Sequence, residues 1–597
     1  MFEIKVHPDG KVFKYEPGDT LLNILLAQNY FVDNPCNGKG TCGKCRVKIL
    51  NGDTPKPHPT EQKLISESDL NDGIRLSCLL KPEGDLEIEL LQKERKHKVL
   101  TTGYMPEFEF DTNIKKQKIN IHRPSLEDQT PFEEQIKNQI GVYPDFEHLV
   151  GLTFEPGEMT VVLNGNDIIG IEQGDTTDSI YGVAVDIGTT TVVCALVDMI
   201  NGNEIASSSM INAQKHFGLD VLTRITYEIE NKEEGIKKLQ KAIVDSINTM
   251  IEDICGQANI NKENIYEISV GANCTMMHTL LGINATSIGK SPYAPIFTGA
   301  KNIKASSIGL EAAKGARLYC LPSVSSYIGA DIVAGAYVCN LHKQDKNVLF
   351  IDIGTNGEIV LSKGGELLCC SCAAGPALEG MNISSGMRAQ EGAIEDIKVT
   401  ENGIELKVIG DIEPIGICGS GILAAVRELL KTGLIRKEGT FIKKEKLEES
   451  DYRYNMIQLN GKKREFIISQ SKNQLLITQG DIRQVQLAKG AILSGFIALL
   501  NKAGIDMEDL DKVMIAGQFG AHLPVESLTG IGIIPEAVKD KLVYVGNSSK
   551  TGAYMALMSR QVKQEMEELA KYMDYMELGA TEDYERLFSS CLIFPQI

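Results

Sequence analysis

The chain has 597 residues, 43% hydrophobic and 24% charged, with a formal net charge of −19 and 14 cysteines. That length exceeds a single hydrophobic core, so two to four domains are expected, and the acidic balance speaks against nucleic acid, whose phosphates are gripped by clustered Lys and Arg. No apolar run reaches the roughly 18 residues that span a bilayer, and MFEIKVHPDG has no apolar core behind a basic start, so no membrane partner and a cytoplasmic location are expected.

From the N-terminus, EIKVHP and KVFKYEP read as strands around a PDG turn, and TLLNILLAQN as a short helix capped by Thr20. The loop PCNGKGTCGKC follows, then the strand CRVKILNG, and later Cys78 in RLSCLL. Cys36, Cys42, Cys45 and Cys78 stand as C-x5-C-x2-C with 32 residues before the fourth. Thiolates are soft ligands, and four of them complete a [2Fe–2S] site. Gly38, Gly40 and Gly43 supply the permissive backbone that a loop wrapped around inorganic sulfide needs. Zinc ribbons pair two short cysteine knuckles, and Cys78 has no neighbouring cysteine. The four cysteines are therefore expected to be metal ligands of a [2Fe–2S] cluster. Residues 1–92 resemble plant-type and adrenodoxin-type ferredoxins, with the five-residue first gap of the latter, and the resemblance implies a β-grasp fold. The isolated cysteines are expected to pack as small hydrophobes. So are Cys369, Cys370 and Cys372, because adjacent strand residues point to opposite faces and cannot easily share a metal.

KERKHK opens an expected linker, residues 93–125, in which Pro106 and Pro124 flank the strand-like IKKQKINIH. PFEEQIKNQIG, MTVVLNG and DIIGIEQG then make one helix and two strands of a small αβ middle domain, residues 126–179. Residues 180–597 read as one large α/β unit with an internal echo. YGVAVDIGTTTVVCALVD and NVLFIDIGTNGEIVLSKGG each set an Asp-Ile-Gly-Thr turn between apolar strands, their aspartates Asp186 and Asp352 lying 166 residues apart. A duplicated architecture is expected. Glycine lets such a turn approach a phosphate with its N–H groups, the Thr hydroxyl adds a donor, and the strand-end Asp can hold Mg²⁺ through water. MIAGQFGAHLP is a strand running into a Gly-rich turn, as suits an adenosine, and PSVSSYIGADIVAGAYV is a loop feeding a helix with Asp331 near its start. YMALMSRQVKQEMEELAKYMDYM reads as an amphipathic helix.

This set resembles the actin, sugar kinase and heat-shock-70 ATPase superfamily, of ribonuclease H-like fold. The resemblance implies a first phosphate loop of Asp186, Gly188, Thr189 and Thr190, and a second of Asp352, Gly354, Thr355, Asn356 and Gly357, with Glu358 helping to position Mg²⁺. Gly517, Gln518, Phe519 and Gly520 would sit at adenosine, and Asp331 would join Asp186 and Asp352 as the carboxylate that orients or deprotonates the attacking water. The whole chain resembles the reductive activators of corrinoid proteins, through RPSLEDQTPFEEQI, SPYAPIFTG, CAAGPALEGMNISSGMRAQEGAI, ICGSGI and VGNSSKTGA. Ala213 and Gln518 depart from that family's pattern, where proline and glycine are commoner. The resemblance implies a [2Fe–2S] cluster, ATP and Mg²⁺, and one-electron reduction of Co(II) to Co(I) on a corrinoid protein of an anaerobic methyltransferase system. It also implies an unidentified electron donor and a homodimer through the ATPase domain. Competing readings are an ATP-driven donor to another low-potential enzyme, a redox-gated small-molecule kinase, and a nucleotide-binding redox sensor.

Overall fold

A computed structural model describes the chain apart from residues 1, 9, 29, 31, 33–37, 39, 41–42, 92–103, 154, 462, 471–473, 518–522 and 597. Cys36, Cys42, Gln518, Phe519 and Gly520 therefore lie outside the described residues. The chain divides into two compact units, Met1–Lys98 with Gln214–Leu219, and Val99–Ala213 with Asp220–Ile597.

The first unit is built on a five-stranded sheet in the order Val12–Tyr15, Phe2–His7, Leu86–Leu90, Arg46–Asn51, Ile74–Leu76. Phe2–His7 pairs antiparallel with its hairpin partner and parallel with Leu86–Leu90, the mixed pairing of the expected ferredoxin-like domain. Helix Leu21–Ala27 starts where the Thr20 hydroxyl accepts from Asn23 N at 3.3 Å. Its Leu21, Leu22 and Leu25 share one core with Ile4, Val6, Val47, Leu76 and Ile88. Behind that core Glu61 is fully buried. It takes 3.0 and 2.9 Å hydrogen bonds from Arg75 and one of 2.9 Å from Leu76 N. Burial alone would raise its pKa, but these donors hold it below the usual carboxylate value. The pair fixes the strand that leads into Cys78.

In the second unit, strands Ile114–Ile121, Gly157–Asn164 and Asp167–Gln173 form a small antiparallel sheet, covered by helix Phe132–Ile140 through Ile136. The stretch read as a connector thus contributes a strand paired along all eight of its residues. Its partner comes more than thirty residues later, so locally it looks like an isolated extended segment.

Two six-stranded sheets carry the two hairpins, beside two further three-stranded sheets formed by residues 393–417 and 457–478. One six-stranded sheet runs Glu204–Ile211, Thr191–Asp198, Tyr181–Ile187, Ile265–Ala272, Arg317–Cys320, Lys301–Lys304; the other runs Leu542–Gly546, Lys512–Ala516, Asn347–Ile353, Gly357–Lys363, Glu366–Cys372, Asp574–Tyr575. Each of these two has an antiparallel meander whose first strand pairs in parallel with the fourth. The fourth pairs in parallel with a later strand, Arg317–Cys320 in one sheet and Leu542–Gly546 in the other. A long helical stretch precedes the fourth strand in both, Val221–Ala258, broken by a kink at Lys232, and the continuous helix Gln479–Ala503. The repeat read in the sequence is therefore a repeat of topology, with two main cores, the first of which takes side chains from both sheets. Cys369 packs into the first core and Cys370 and Cys372 into the second, as strand alternation requires.

The C-terminal methionine-rich run departs from expectation: it is two helices, Ser548–Met558 and Arg560–Tyr572, separated at Ser559. Every residue of the first is buried, and only the second is amphipathic. Two helices meeting at an extended residue read as one apolar stripe when only spacing is visible.

Candidate functional site

At the ferredoxin-like end Cys45 and Cys78 are buried, at 1% and 5% exposure. Ser77 donates from both its N–H and its hydroxyl to Cys45 O, at 2.9 and 3.0 Å, and so ties together the two segments that carry these thiols. Gly38, Gly40 and Gly43 all have φ near +70°, a region that side chains disfavour. A Cβ at Gly40 would also come within 2.9 Å of Leu79, and one at Gly43 within 3.3 Å of Leu64. Two buried thiols on tied segments, next to a loop of left-handed glycines, fit a thiolate-held iron–sulfur cluster.

In the second unit, the two Asp-Ile-Gly-Thr turns close alike. Gly188 N–H bonds Thr191 O at 2.9 Å, and Gly354 N–H bonds Asn356 O at 2.9 Å. The first turn is surrounded by donors. Asn547 Nδ2 donates to Asp186 Oδ2 at 2.8 Å, Asn273 Nδ2 to Thr189 Oγ1 at 3.1 Å, and Asn212 Nδ2 to Gly188 O at 2.8 Å. Arg224 donates to Thr189 O. Asn273 and Asn547 are N-caps whose Oδ1 atoms accept from Met276 N and Lys550 N, each at 2.9 Å. Capping consumes the carbonyl and leaves the amide NH₂ to face the hairpin.

The second turn is surrounded by acids. Asp352 stands directly across the strand pair from Glu358. Asp331 is the second residue of helix Ala330–Val338, where its Oδ1 accepts from Ile332 N at 2.9 Å. Gly329 brings it in close: a Cβ there would lie 2.5 Å from Asn273 Cα. Burial, then the neighbouring Asp352 and Asp186 carboxylates, push Asp331 up to about 8; burial, then Asp186, push Asp352 up to about 7. Glu358 is driven well above its ordinary value by burial and then by Asp331 and Asp352. Asp186 is also raised by burial, with the Asn547 hydrogen bond offsetting part of the effect. Among the described residues, neither Asp331, Asp352 nor Glu358 forms an ion pair. No three of these carboxylates bring their oxygens within 4.8 Å of one another, so groups this poorly neutralised suit a divalent cation held through its water shell.

Gly517 has φ +91°, and a Cβ there would lie 2.6 Å from Asp352 Oδ1, so strand Lys512–Ala516 ends against the second hairpin. Gly357 has a packing reason: a Cβ there would meet Ile492 at 3.0 Å. Asp186, Asp331, Asp352 and Glu358 thus come together at the two turns that carry Gly188, Thr189, Thr190, Gly354, Thr355 and Asn356.

Five further residues belong to this constellation. Asn212, Asn273, Asn547 and Arg224 supply the donors at the first turn, and Glu379, 2% exposed, accepts from Thr190 Oγ1 at 2.9 Å and from Thr355 Oγ1. It thereby joins one hydroxyl from each hairpin. Arg224 is fully buried, which pulls its pKa down to about 9 against the opposing pull of Asp220 and Glu379. Asn ahead of an apolar helical run marks both caps in the sequence; Arg224 and Glu379 have no comparable local signal.

Comparison with known proteins agrees with this anatomy. The 2Fe-2S iron-sulfur cluster binding domain matches residues 4–83, the RACo middle region residues 181–344, and the C-terminal domain of RACo, the ASKHA domain, residues 346–597. The family's middle region therefore coincides with the first large sheet. The corrinoid activation enzyme RamQ of Eubacterium limosum is 32% identical over 541 residues, 88% of each chain. The [Co(II) methylated amine-specific corrinoid protein] reductase of Methanosarcina barkeri is 27% identical over 444 residues, 68% of this chain and 76% of that one. A solved reductive activator for corrinoid, iron-sulfur protein superposes with a TM-score of 0.72 at 31% identity, covering 100% of this chain and 98% of its own. With a 2Fe-2S domain ahead of RACo middle and ASKHA regions, the chain belongs to the RACo family.

Proposed function

We infer that this chain is an ATP-dependent reductive activator of a corrinoid protein, passing one electron from its [2Fe–2S] cluster to Co(II) on the partner to give Co(I). One observation carries this: a single polypeptide holds both a glycine-wrapped pair of buried thiols and a pair of Asp hairpins with convergent carboxylates. The relatives named for corrinoid activation and reduction support the choice of partner. Cys36, Cys42, Cys45 and Cys78 would hold the cluster, which supplies single electrons near about −400 mV.

Each ~59 mV of shortfall against a more negative acceptor costs a factor of ten, so an added free-energy source is required. A nucleotide supplies it if the states before and after hydrolysis differ in affinity for the partner. At the two turns, the unbonded turn N–H groups would serve the phosphates, with Arg224 holding the first turn through Thr189 O. Gly517 and the residues after it would serve the adenosine, and Asp186, Asp352 and Glu358 would hold a magnesium ion. Asp331, raised to about 8 by burial and then by its neighbours, would in its ionised form orient or deprotonate the attacking water. An external donor reloads the cluster.

The test adds a purified Co(II) corrinoid protein to the iron-loaded chain and follows the Co(I) absorption band. Co(I) should appear with ATP and Mg²⁺, and Cys78→Ser should abolish it while leaving ATP binding intact. Equal Co(I) formation without nucleotide, or stoichiometric phosphorylation of a small molecule in place of phosphate release, would overturn this function.

A further inference from the structure

Glu379 lies between the two hairpins with a role that no turn motif supplies. It ends the short turn Pro376–Glu379 and is 2% exposed. Its two oxygens divide between the hairpins, Oε2 taking the Thr190 hydroxyl at 2.9 Å and Oε1 the Thr355 hydroxyl. The turn is clamped from behind. Gly380 has φ +78°, and a Cβ there would come within 2.1 Å of Met387 O; a Cβ at Gly419 would come within 1.8 Å of Leu378 O. Burial raises the pKa of Glu379, and the two hydroxyls, then Arg388 and Arg224, offset part of that rise; its ionised form is the one that takes both hydroxyl bonds.

An ionised carboxylate has no proton, so it can only accept. Each threonine hydroxyl has one proton, and both face Glu379. What remains on Thr190 Oγ1 and Thr355 Oγ1 is lone pairs. A phosphate oxygen is also an acceptor and gains nothing from them, whereas a hydrated magnesium ion, which keeps several waters, presents protons that such lone pairs can take. We propose that Glu379 is a positioning residue that turns the Thr190 and Thr355 hydroxyls into acceptors, so that they receive the water shell of the nucleotide's magnesium ion and not a phosphate oxygen. This rests on the ATPase reading above, and it reverses the donor role that the motif alone implies for these threonines.

The experiment measures ATP affinity of the full, iron-loaded chain by calorimetry in EDTA and in Mg²⁺, and Mn²⁺ affinity by electron paramagnetic resonance in the presence of ADP. Glu379→Gln puts an amide donor against one hydroxyl and reverses it; Thr355→Val deletes a hydroxyl, and Thr355→Ser retains it. In EDTA, Glu379→Gln and Thr355→Val should bind ATP within about twofold of the unaltered chain. The tightening brought by Mg²⁺ should shrink about tenfold, the scale of one charge-assisted hydrogen bond, with a parallel loss of Mn²⁺ affinity. Thr355→Ser should behave as the unaltered chain. Should Glu379→Gln lose its native circular dichroism, the Thr355 pair decides alone. Unchanged magnesium tightening overturns the proposal, as does an equal loss with and without metal. Tighter ATP binding in EDTA overturns it too, since Glu379 would then be a clasp that phosphate displaces. If the unaltered chain binds no ATP in either condition, the proposed function falls and this inference with it.

Discussion

The two Asp-Ile-Gly-Thr hairpins share a sequence template and the same place in their sheets, yet Asp186 stands opposite Val193 and Asp352 opposite Glu358. Turn length makes part of this difference. Four residues separate the paired Ile187 and Val192, and three separate Ile353 and Gly357, which moves the facing residue by one position along the strand. The rest comes from elsewhere in the chain: Asn547, Asn273 and Arg224 bring donors to the first turn, and Asp331 brings another carboxylate to the second. Duplication copied a backbone, and the elements packed around each copy set its chemistry. The donor-rich turn suits an anion and the acid-rich turn a cation.

The sharpest way to break this distinction is to neutralise each aspartate. Asp352→Asn should lower Mg²⁺-dependent ATP turnover on the order of a hundredfold or more, and Asp186→Asn by about tenfold. The iron–sulfur spectrum should be unchanged in both; equal losses would erase the division of labour. Next in size is the response of the metal-free chain to pH. Asp352 and Asp331 are raised to about 7 and about 8, against about 3.9 when unfolded. Between those values the folded chain holds protons that the unfolded chain has released, so these groups' contribution is full in acid and is lost as pH rises through about 7 to 8. The melting temperature in EDTA should therefore fall from pH 5.5 to 8.5, and Mg²⁺ should restore it most at the alkaline end. A flat profile in EDTA would mean that neither burial nor the neighbouring carboxylates raise these groups. The smallest effect is expected at Asn547. Asn547→Ala should raise the KM for ATP about threefold to tenfold, the scale of one hydrogen bond. Asn547→Asp keeps the helix cap but places a charge against Asp186, and should cost more; if both match, capping and not the amide is what matters.

The cysteine loop and both hairpins were legible because their signals are local. Glycines at φ near +70° and thiols at short spacing declare themselves within about ten residues, and a Gly-Thr turn between apolar runs needs no distant partner to be seen. Strand Ile114–Ile121 was not legible as part of a sheet, because the strand that pairs with it begins at Gly157. Nor was the division of the C-terminal run at Ser559, where extended φ and ψ interrupt a continuous apolar pattern. Glu379 was hidden for the same reason: it meets Thr190 across a separation of 189 residues, as Asn547 meets Asp186 across 361.

Sequence alone determined the kinds of chemistry this protein carries, a thiolate loop and a duplicated Asp-Gly-Thr turn, since conformational freedom and ligand softness belong to individual residues and their near neighbours. Only the tertiary structure decided how that chemistry is apportioned. Burial and electrostatic coupling arise between groups brought together from distant parts of the chain, and they separate a donor-lined turn from an acid-lined one and place a single carboxylate between the hydroxyls of both.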